Sequence, residues 1–192
     1  MSEMAQTRAY AAPTRMRPRQ ADGPRNRPAY VNRSLLLVRV LVGLLFIGHG
    51  LQKLAGWFGG PGMTSWTQSV AKEGLQPAAF WAGVSAWGEF GAGIFLVLGF
   101  LTPLAASFLI ADMLMAILKV HAAKGLWSEF GGYEYNLVLI ILMVALALMG
   151  PGLYSLDGRL PFRLNRAAIA LAAIVLAIAG TGYALLGLPV PF

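Results

Sequence analysis

The sequence predicts an all-α integral membrane protein, built as an antiparallel bundle of four transmembrane helices with a fifth transmembrane helix on its C-terminal side. Of its 192 residues, 57% are hydrophobic and only 12% are charged, with a mean hydropathy of +0.64. Soluble domains carry about 25% charged residues. Five apolar stretches reach or approach the roughly 20 residues that a helix needs to cross the hydrocarbon layer. They cover residues 35–55, 80–100, 103–121, 133–150 and 167–188.

The segments between the apolar stretches complete the predicted domain organisation. Residues 1–33 are rich in Arg, Pro, Ala and Gln, so they carry too little apolar surface to fold alone and are predicted to form a disordered basic cytoplasmic arm. The four-helix membrane domain covers residues 34–157 and includes an outer loop at 56–79. In that loop a Gly-Gly-Pro-Gly turn precedes Trp66 and Val70, whose spacing of four predicts a short interfacial helix.

The last two parts of the chain set the helix order. Only residues 101–103 separate the second and third spans, which predicts a tight antiparallel hairpin. Glycines in the first and second spans are expected to let helix backbones approach closely. Residues 158–192 are predicted to form a basic cytoplasmic loop and the extra transmembrane helix. Because that fifth span has no ionisable residue, it is expected to be peripheral and to face lipid.

The distribution of basic residues predicts the topology. The net charge is +7 and the isoelectric point is about 10.1. The arginines lie within residues 1–39 or 157–166, whereas the lysines lie on the other side of the membrane in the five-span arrangement. The positive-inside rule then predicts a multi-pass protein of the bacterial cytoplasmic (inner) membrane, with a cytoplasmic N-terminus and an external C-terminus. Basic charge therefore indicates topology and contact with the lipid bilayer, not nucleic-acid binding.

Ionisable side chains inside or at one edge of the spans predict a polar pocket. Each costs at least a few kcal/mol in a span unless it is paired or hydrated. All of these ionisable residues fall in the half of the membrane that is predicted to be the outer one. Counted from the span ends at a helix rise of about 1.5 Å per residue, Glu89 and Asp112 lie near the middle of the membrane. The competing interpretation is that these charges only hold the bundle together, with the lysines snorkelling to the interface. The set consists of His49, Lys53, Glu89, Asp112, Lys119, His121 and Glu134.

Helical spacing selects candidate site residues within this set. His49, Gln52 and Lys53 share one face of the first span, and Asp112 and Lys119 share one face of the third. Glu89, Asp112 and His49 are the predicted catalytic residues. The predicted residues for binding a cofactor head group are Lys53, Gln52, Lys119, Glu134 and Asn136.

Two cofactor alternatives use the same residue types. His49 and His121 at similar depth could hold a haem through two imidazoles, although the lysines and carboxylates around them do not suit a haem pocket. His49, Glu89 and Asp112 have the ligand types for a divalent metal, but their spacing does not select one. The chain has no cysteine, so it cannot use a thiol of its own for redox chemistry.

Three sequence blocks together resemble the DoxX family of small bacterial membrane proteins. They are RVLVGLLFIGHGLQKL at 39–54, WGEFGAG followed by LGFLTP within 87–103, and GGYEYN at 131–136 with GPGLYSLD at 150–157. The resemblance covers about residues 34–157. It implies a four-helix bundle in the cytoplasmic membrane, related to subunits of a thiosulfate:quinone oxidoreductase and to partners in oxidative stress and thiol homeostasis. The resemblance also extends to more distant relatives of this family in animals, which implies a possible role in the assembly of membrane receptors.

Three functions are compatible with these observations. The first is a membrane subunit of an oxidoreductase that binds a quinone in the pocket, with Glu89 and Asp112 supplying protons, His49 relaying them, and a partner protein donating electrons. The second is a non-catalytic scaffold or assembly factor whose buried charges are structural. The third is a small-molecule or proton permease, which the expected lack of polar residues in the inner half of the spans disfavours. The oligomeric state stays open.

Overall fold

The computed structural model describes residues 27–159 and, in the fifth span, residues 171, 174, 175, 178, 179, 181, 182 and 186. The predicted arm up to residue 26, the loop at 160–166 and the rest of the fifth span lie outside the described residues. Within the described part the regular structure is entirely helical. Its α-helices are α1 (Ala29–Ala55), α2 (Gly62–Lys72), α3 (Ala78–Leu98), α4 (Thr102–Ala116) and α5 (Glu134–Met149).

The lengths of these helices confirm the all-α membrane class. Helices α1 and α3 are long and apolar enough to cross a membrane, and so is α4 with its continuation to Lys124 as a π-turn and a 3-10 turn. Helix α5 is apolar but has only 16 residues, which is about 24 Å at 1.5 Å per residue. A helix, α2, is present where the sequence predicts the interfacial helix. Helix α1 begins at Ala29, four residues before the predicted end of the arm at residue 33.

Close packing of α1 against α3 forms the centre of the bundle. A methyl group built on Gly43 would lie 2.7 Å from the backbone oxygen of Gly93, and one on Gly93 would lie 2.7 Å from that of Gly43. Only glycine permits this approach. Helix α4 pairs with α5, and α2 lies across α3 and α1. The core between them contains the fully buried Phe46, Leu109 and Met143.

A buried arginine lies at the end of the bundle predicted to be cytoplasmic, here named the Arg39 end. Arg39 is 1% exposed, and its guanidinium donates hydrogen bonds to the carbonyl oxygens of Pro151 and Tyr154, the latter at 2.6 Å. Nearby, Asp157 accepts hydrogen bonds from the backbone N–H groups of Leu101 and Thr102 at 2.9 and 3.0 Å. The expectation that this half of the spans lacks polar residues is therefore wrong.

The described residues of the fifth span define two faces. Leu171, Val175 and Ile178 are exposed, as expected for a lipid-facing helix. Ile174 instead packs against the hydrophobic core, and Thr181, seven residues later, is only 5% exposed. Residues seven apart lie on the same side of a helix. The fifth span therefore packs the side that carries Ile174 and Thr181 against the bundle.

Candidate functional site

The candidate site is a cavity of about 360 Å³ between α2, α3 and α4, whose charged residues lie at the end opposite Arg39, here named the Lys53 end. One face of α4 and its continuation lines it over four turns. The lining residues recur at spacings of three and four, which is the pattern of a single helix face. They are Leu104, Ser107, Phe108, Ala111, Asp112, Met115, Ala116, Lys119 and Val120.

The other walls come from five separate parts of the chain. Trp81, Val84 and Ser85 belong to α3, Trp66 and Val70 to α2, and Glu73 and Leu75 to the segment after α2. Lys53 enters from α1 and Thr181 from the fifth span. A side chain on Gly88 would overlap the ring of Phe108, so this glycine makes room for the aromatic wall of the cavity. The lining is mostly apolar, with a few charged groups, as is common in small-molecule sites.

Lys53 is the most highly connected charged group at the site. Its Nζ lies 2.8 Å from Oε1 of Glu89 and donates a hydrogen bond to Oγ of Ser85 at 2.9 Å. It also lies 4.3 Å from the centroid of the Trp66 ring, within the range of a cation–π interaction. Lys53 therefore binds α1 to α3 and α2. This ammonium group is held in the bundle and does not snorkel freely.

Glu89 and Asp112 form a pair of neighbouring carboxyl groups. Glu89 is 2% exposed and lies behind Lys53, and its Oε2 has no hydrogen-bond donor among the described residues. Asp112 lies close enough to Glu89 for the two to interact electrostatically, and it lines the cavity. The structure thus brings these two predicted site residues together.

His49 belongs to a second polar group beside the cavity. Its Nδ1 lies 3.1 Å from Oε1 of Gln52 and its Nε2 lies 3.4 Å from the hydroxyl of Tyr135. Neither His49 nor Gln52 is among the cavity-lining residues. Tyr135 lies close enough to Glu89 for the two to interact electrostatically. The sequence reasoning missed Tyr135, although it stands between two predicted site residues in the GGYEYN block.

The remaining predicted site residues have other partners. Glu134 accepts a hydrogen bond from the N–H of Ser128 at 3.1 Å, and the buried amide of Asn136 contacts Sδ of Met113 at 3.4 Å. The Nδ1 of His121 donates to the carbonyl oxygen of Gly131 at 2.7 Å. The structure does not bring these three side chains into the cavity.

The cofactor alternatives receive no support from the geometry of the described residues. His49 and His121 have different partners on different helices. Within residues 27–159 and the described positions of the fifth span, no three His, Cys, Asp or Glu side chains are placed to hold a metal ion. The set of His49, Glu89 and Asp112 is therefore not a metal centre in this structure.

Glu73 is a cavity residue that the sequence reasoning did not identify. It follows α2 directly, outside the spans, and is half-buried. Burial raises the pKa of Glu73, whereas the positive charges of Lys53, Lys119 and His121 act to lower it. Its only signal in the sequence is a carboxylate just after the predicted interfacial helix. The structure places this carboxylate at the Lys53 end of the cavity, near the lysines.

Comparison with known proteins gives the family. The sequence profile named DoxX matches residues 34–122, which contain most of α1, all of α2 to α4, and the site residues Lys53, Glu89, Asp112 and Lys119. The membrane protein Rv3486 of Mycobacterium tuberculosis (strain ATCC 25618 / H37Rv) is 32% identical over 164 residues, covering 80% of this chain and 92% of its own length. The chain belongs to the DoxX family.

A second relative extends the comparison to another bacterium. The inner membrane protein YqjF of Escherichia coli (strain K12) is 31% identical over 125 residues, covering 64% of this chain and 88% of YqjF. No solved structure matches the chain. The DoxX profile ends before the blocks at 131–136 and 150–157, but the family predicted from all three blocks is confirmed. The protein is thus a DoxX-family membrane protein in contact with the lipid bilayer.

Proposed function

We propose that this DoxX protein is a quinone-binding subunit of a redox system in the bacterial inner membrane. The observation that carries the proposal is a mostly apolar cavity along α4 that meets the charged group formed by Lys53, Glu89 and Asp112. A quinone has the matching chemistry, with a polar head and an apolar chain. The cavity volume of about 360 Å³ lies in the range of small-molecule sites.

The charged residues at the site suit quinone reduction. The ammonium groups of Lys53 and Lys119 can donate hydrogen bonds to the quinone carbonyl oxygens. Conversion of a quinone to a quinol takes up two electrons and two protons. The carboxyl pair of Glu89 and Asp112 is the nearest source of a proton, and positioned carboxyl groups are effective general acids. With no cysteine in the chain, the electrons would come from a redox partner protein.

The neighbouring polar group offers a route for replacing that proton. His49 and Tyr135 lie 3.4 Å apart, and Tyr135 interacts electrostatically with Glu89. A histidine can accept and release protons near neutral pH. In this proposal His49 is a relay residue and Glu89 and Asp112 are the groups that face the quinone.

The predicted topology orients the site. The arginines and the Arg39 end lie on the proposed cytoplasmic side, and the Lys53 end lies on the proposed outer side. The printed name of YqjF describes an inner membrane protein, in agreement with this location. The quinone head would therefore bind in the outer half of the membrane.

Quinone content tests the proposal. The protein is purified in mild detergent, and the bound quinone is measured by solvent extraction and mass spectrometry against another multi-span membrane protein. We expect near-stoichiometric quinone in the wild type and at least about tenfold less in Glu89→Gln and Asp112→Asn, since tenfold corresponds to about 1.4 kcal/mol. Glu129→Gln, an exposed carboxylate on the loop before α5, is the matched control. Background quinone in a folded wild-type preparation contradicts the proposal.

A scaffold or assembly factor is the second candidate. The observation that favours it is that Lys53 is fully engaged by Glu89, Ser85 and Trp66 within the protein. In that case Glu89→Gln and Asp112→Asn would lower the abundance of folded protein in the membrane without changing its content of any bound molecule. Quantitative immunoblotting of the membrane fraction, read beside the quinone content, separates the two functions.

A further inference from the structure

The cavity is longer than a quinone head group requires. Its lining on α4 and the continuation of that helix extends from Leu104 to Val120, sixteen positions apart, which is about 24 Å at 1.5 Å per residue. This distance is most of the roughly 30 Å thickness of the hydrocarbon layer. A head group beside Lys53 would fill only one part of such a groove.

The chemistry of the lining changes along the groove. Its charged residues, Lys53, Glu73, Asp112 and Lys119, lie at or above the level of Asp112 toward the Lys53 end. Toward the other end, the lining side chains on α4 are apolar except for Ser107, whose hydroxyl donates to the carbonyl oxygen of Pro103 at 2.8 Å. One end of the groove therefore suits a polar head and the other an apolar chain.

The apolar end of the groove opens to the surface of the bundle. Leu104 lines the cavity and yet is 48% exposed. Because Leu104 lies within the part of the bundle that spans the membrane, the surface next to it is surrounded by lipid. A chain bound in the groove can therefore continue into the bilayer at this point.

The fifth span contributes a wall to the same groove. Thr181 lines the cavity and is buried, while Val175, about 120° away around the same helix, is exposed. Thr181 is therefore part of the groove wall, and Val175 is not. Thr181 lines the same cavity as the small side chains of Ala111 and Ala116 on α4, so a larger side chain at residue 181 is expected to narrow the groove.

We infer that the cavity binds an amphiphile with a single apolar chain, its polar head near Lys53 and Lys119 and its chain along α4, and that Thr181 of the fifth span is the residue that determines which chains fit. The identification of the head group as a quinone rests on the proposed function, whereas the position of Thr181 in the wall of the groove does not. The fifth span thus has a role in ligand selection beyond that of a membrane anchor.

Binding of quinone analogues tests the chain assignment. Trp66 and Trp81 line the cavity, so quenching of tryptophan fluorescence reports binding of two analogues with the same head, one with a decyl chain and one without a chain. We expect Thr181→Phe to weaken binding of the decyl analogue at least tenfold and to change binding of the chainless analogue less than twofold. Ile178→Phe, at a position that is 56% exposed on the same helix, should change neither. Equal losses for both analogues, or no loss in Thr181→Phe, overturn the assignment.

Cross-linking tests the wall independently of any quinone. Because the chain has no cysteine, Thr181→Cys can be combined with Ala111→Cys and treated in membranes with a short bifunctional thiol reagent. We expect an efficient cross-link in this pair and none in Val175→Cys with Ala111→Cys, because residue 175 is 56% exposed and lies about 120° from residue 181 around the helix. If wild-type protein binds neither quinone analogue, the proposed function and the chain assignment both fail, and the cross-link alone decides on the wall. If no cross-link forms between positions 181 and 111, the assignment of Thr181 to the wall of the groove is wrong.

Discussion

The ammonium group of Lys53 on α1 lies 2.8 Å from the carboxylate of Glu89 on α3, and Glu89 is almost completely buried. Removing two such charges from water is costly, and their attraction offsets that cost only when the geometry is good and further hydrogen bonds are made. Ser85 and the ring of Trp66 supply further contacts to the ammonium group. The pair therefore depends on both partners being present.

We expect Lys53→Met to destabilise the protein by about 3–5 kcal/mol, because it leaves the buried Glu89 without its cation. Combining Lys53→Met with Glu89→Leu should recover most of that loss. The measurement is reversible unfolding of the purified protein in mixed detergents. Lys72→Met, at an exposed position on α2, is the control and should stay near the wild type. A loss in the double variant equal to the sum of the two single losses would contradict a coupled pair.

Arg39 provides a second prediction, at the opposite end of the bundle. Its guanidinium satisfies the carbonyl oxygens of Pro151 and Tyr154, so Arg39→Met should leave buried acceptors unsatisfied at about 1–3 kcal/mol each. Arg39→Lys should recover only part of the loss, because a lysine lacks the planar arrangement of five donors. Thermal unfolding in detergent measures both variants.

The control for Arg39 is Arg33→Met, an exposed arginine on the same helix. If Arg39 and Arg33 variants lose equal stability, the buried hydrogen bonds at the Arg39 end do not contribute as proposed. Loss of folded protein in Arg39→Met with full recovery in Arg39→Lys would mean that charge alone is required.

The contact between α1 and α3 provides a third prediction. A methyl group on Gly93 would lie 2.7 Å from the backbone oxygen of Gly43 and 2.8 Å from the backbone nitrogen of Ile47. Gly93→Ala should therefore force the helices apart, at about 1–3 kcal/mol for overpacking. In Gly91→Ala the new methyl group meets no atom within 4 Å, so the higher helix propensity of alanine should give no loss or a gain of up to about 1 kcal/mol. Equal unfolding free energies for the two variants would exclude a close helix contact.

The sequence predicted the helices and the centre of the site because both depend on helix periodicity and membrane depth. Counting residues from each span end placed Glu89 and Asp112 near mid-membrane and Lys53 nearer the outside, and the structure brings the three together. The same counting placed Glu134 at the correct end of the bundle. It could not show that its carboxylate binds the N–H of Ser128, because loop conformation does not follow from periodicity.

The residues that the sequence reasoning missed share a different cause. Arg39 was counted with the basic residues that indicate topology, because nothing in its local sequence shows that carbonyl groups 112 and 115 residues later would surround it. Thr181 is a small residue in a span without charge, so no polar pattern marked its face. Glu73 lies between two helices, where the direction of a side chain depends on the turn.

Glu73 gives the last prediction, which concerns pH. Burial raises the pKa of Glu73 above its ordinary value of 4.5, and the positive charges of Lys53, Lys119 and His121 only partly oppose this. The folded state therefore binds the proton of Glu73 more tightly than the unfolded state does. The resulting contribution to stability is fully present below pH 4.5 and is lost as the pH rises through the raised pKa.

Glu73→Gln cannot ionise at this position, so its stability relative to the wild type should increase as the pH rises from below 4.5 to neutral. Unfolding temperatures of both proteins across this range measure the difference. Glu129→Gln, at an exposed loop position, tests whether any carboxyl substitution has the same effect. If the stability of Glu73→Gln relative to the wild type falls with rising pH, attraction to the lysines outweighs the cost of burial. In that case the folded protein stabilises the ionised form of Glu73 at the Lys53 end of the cavity.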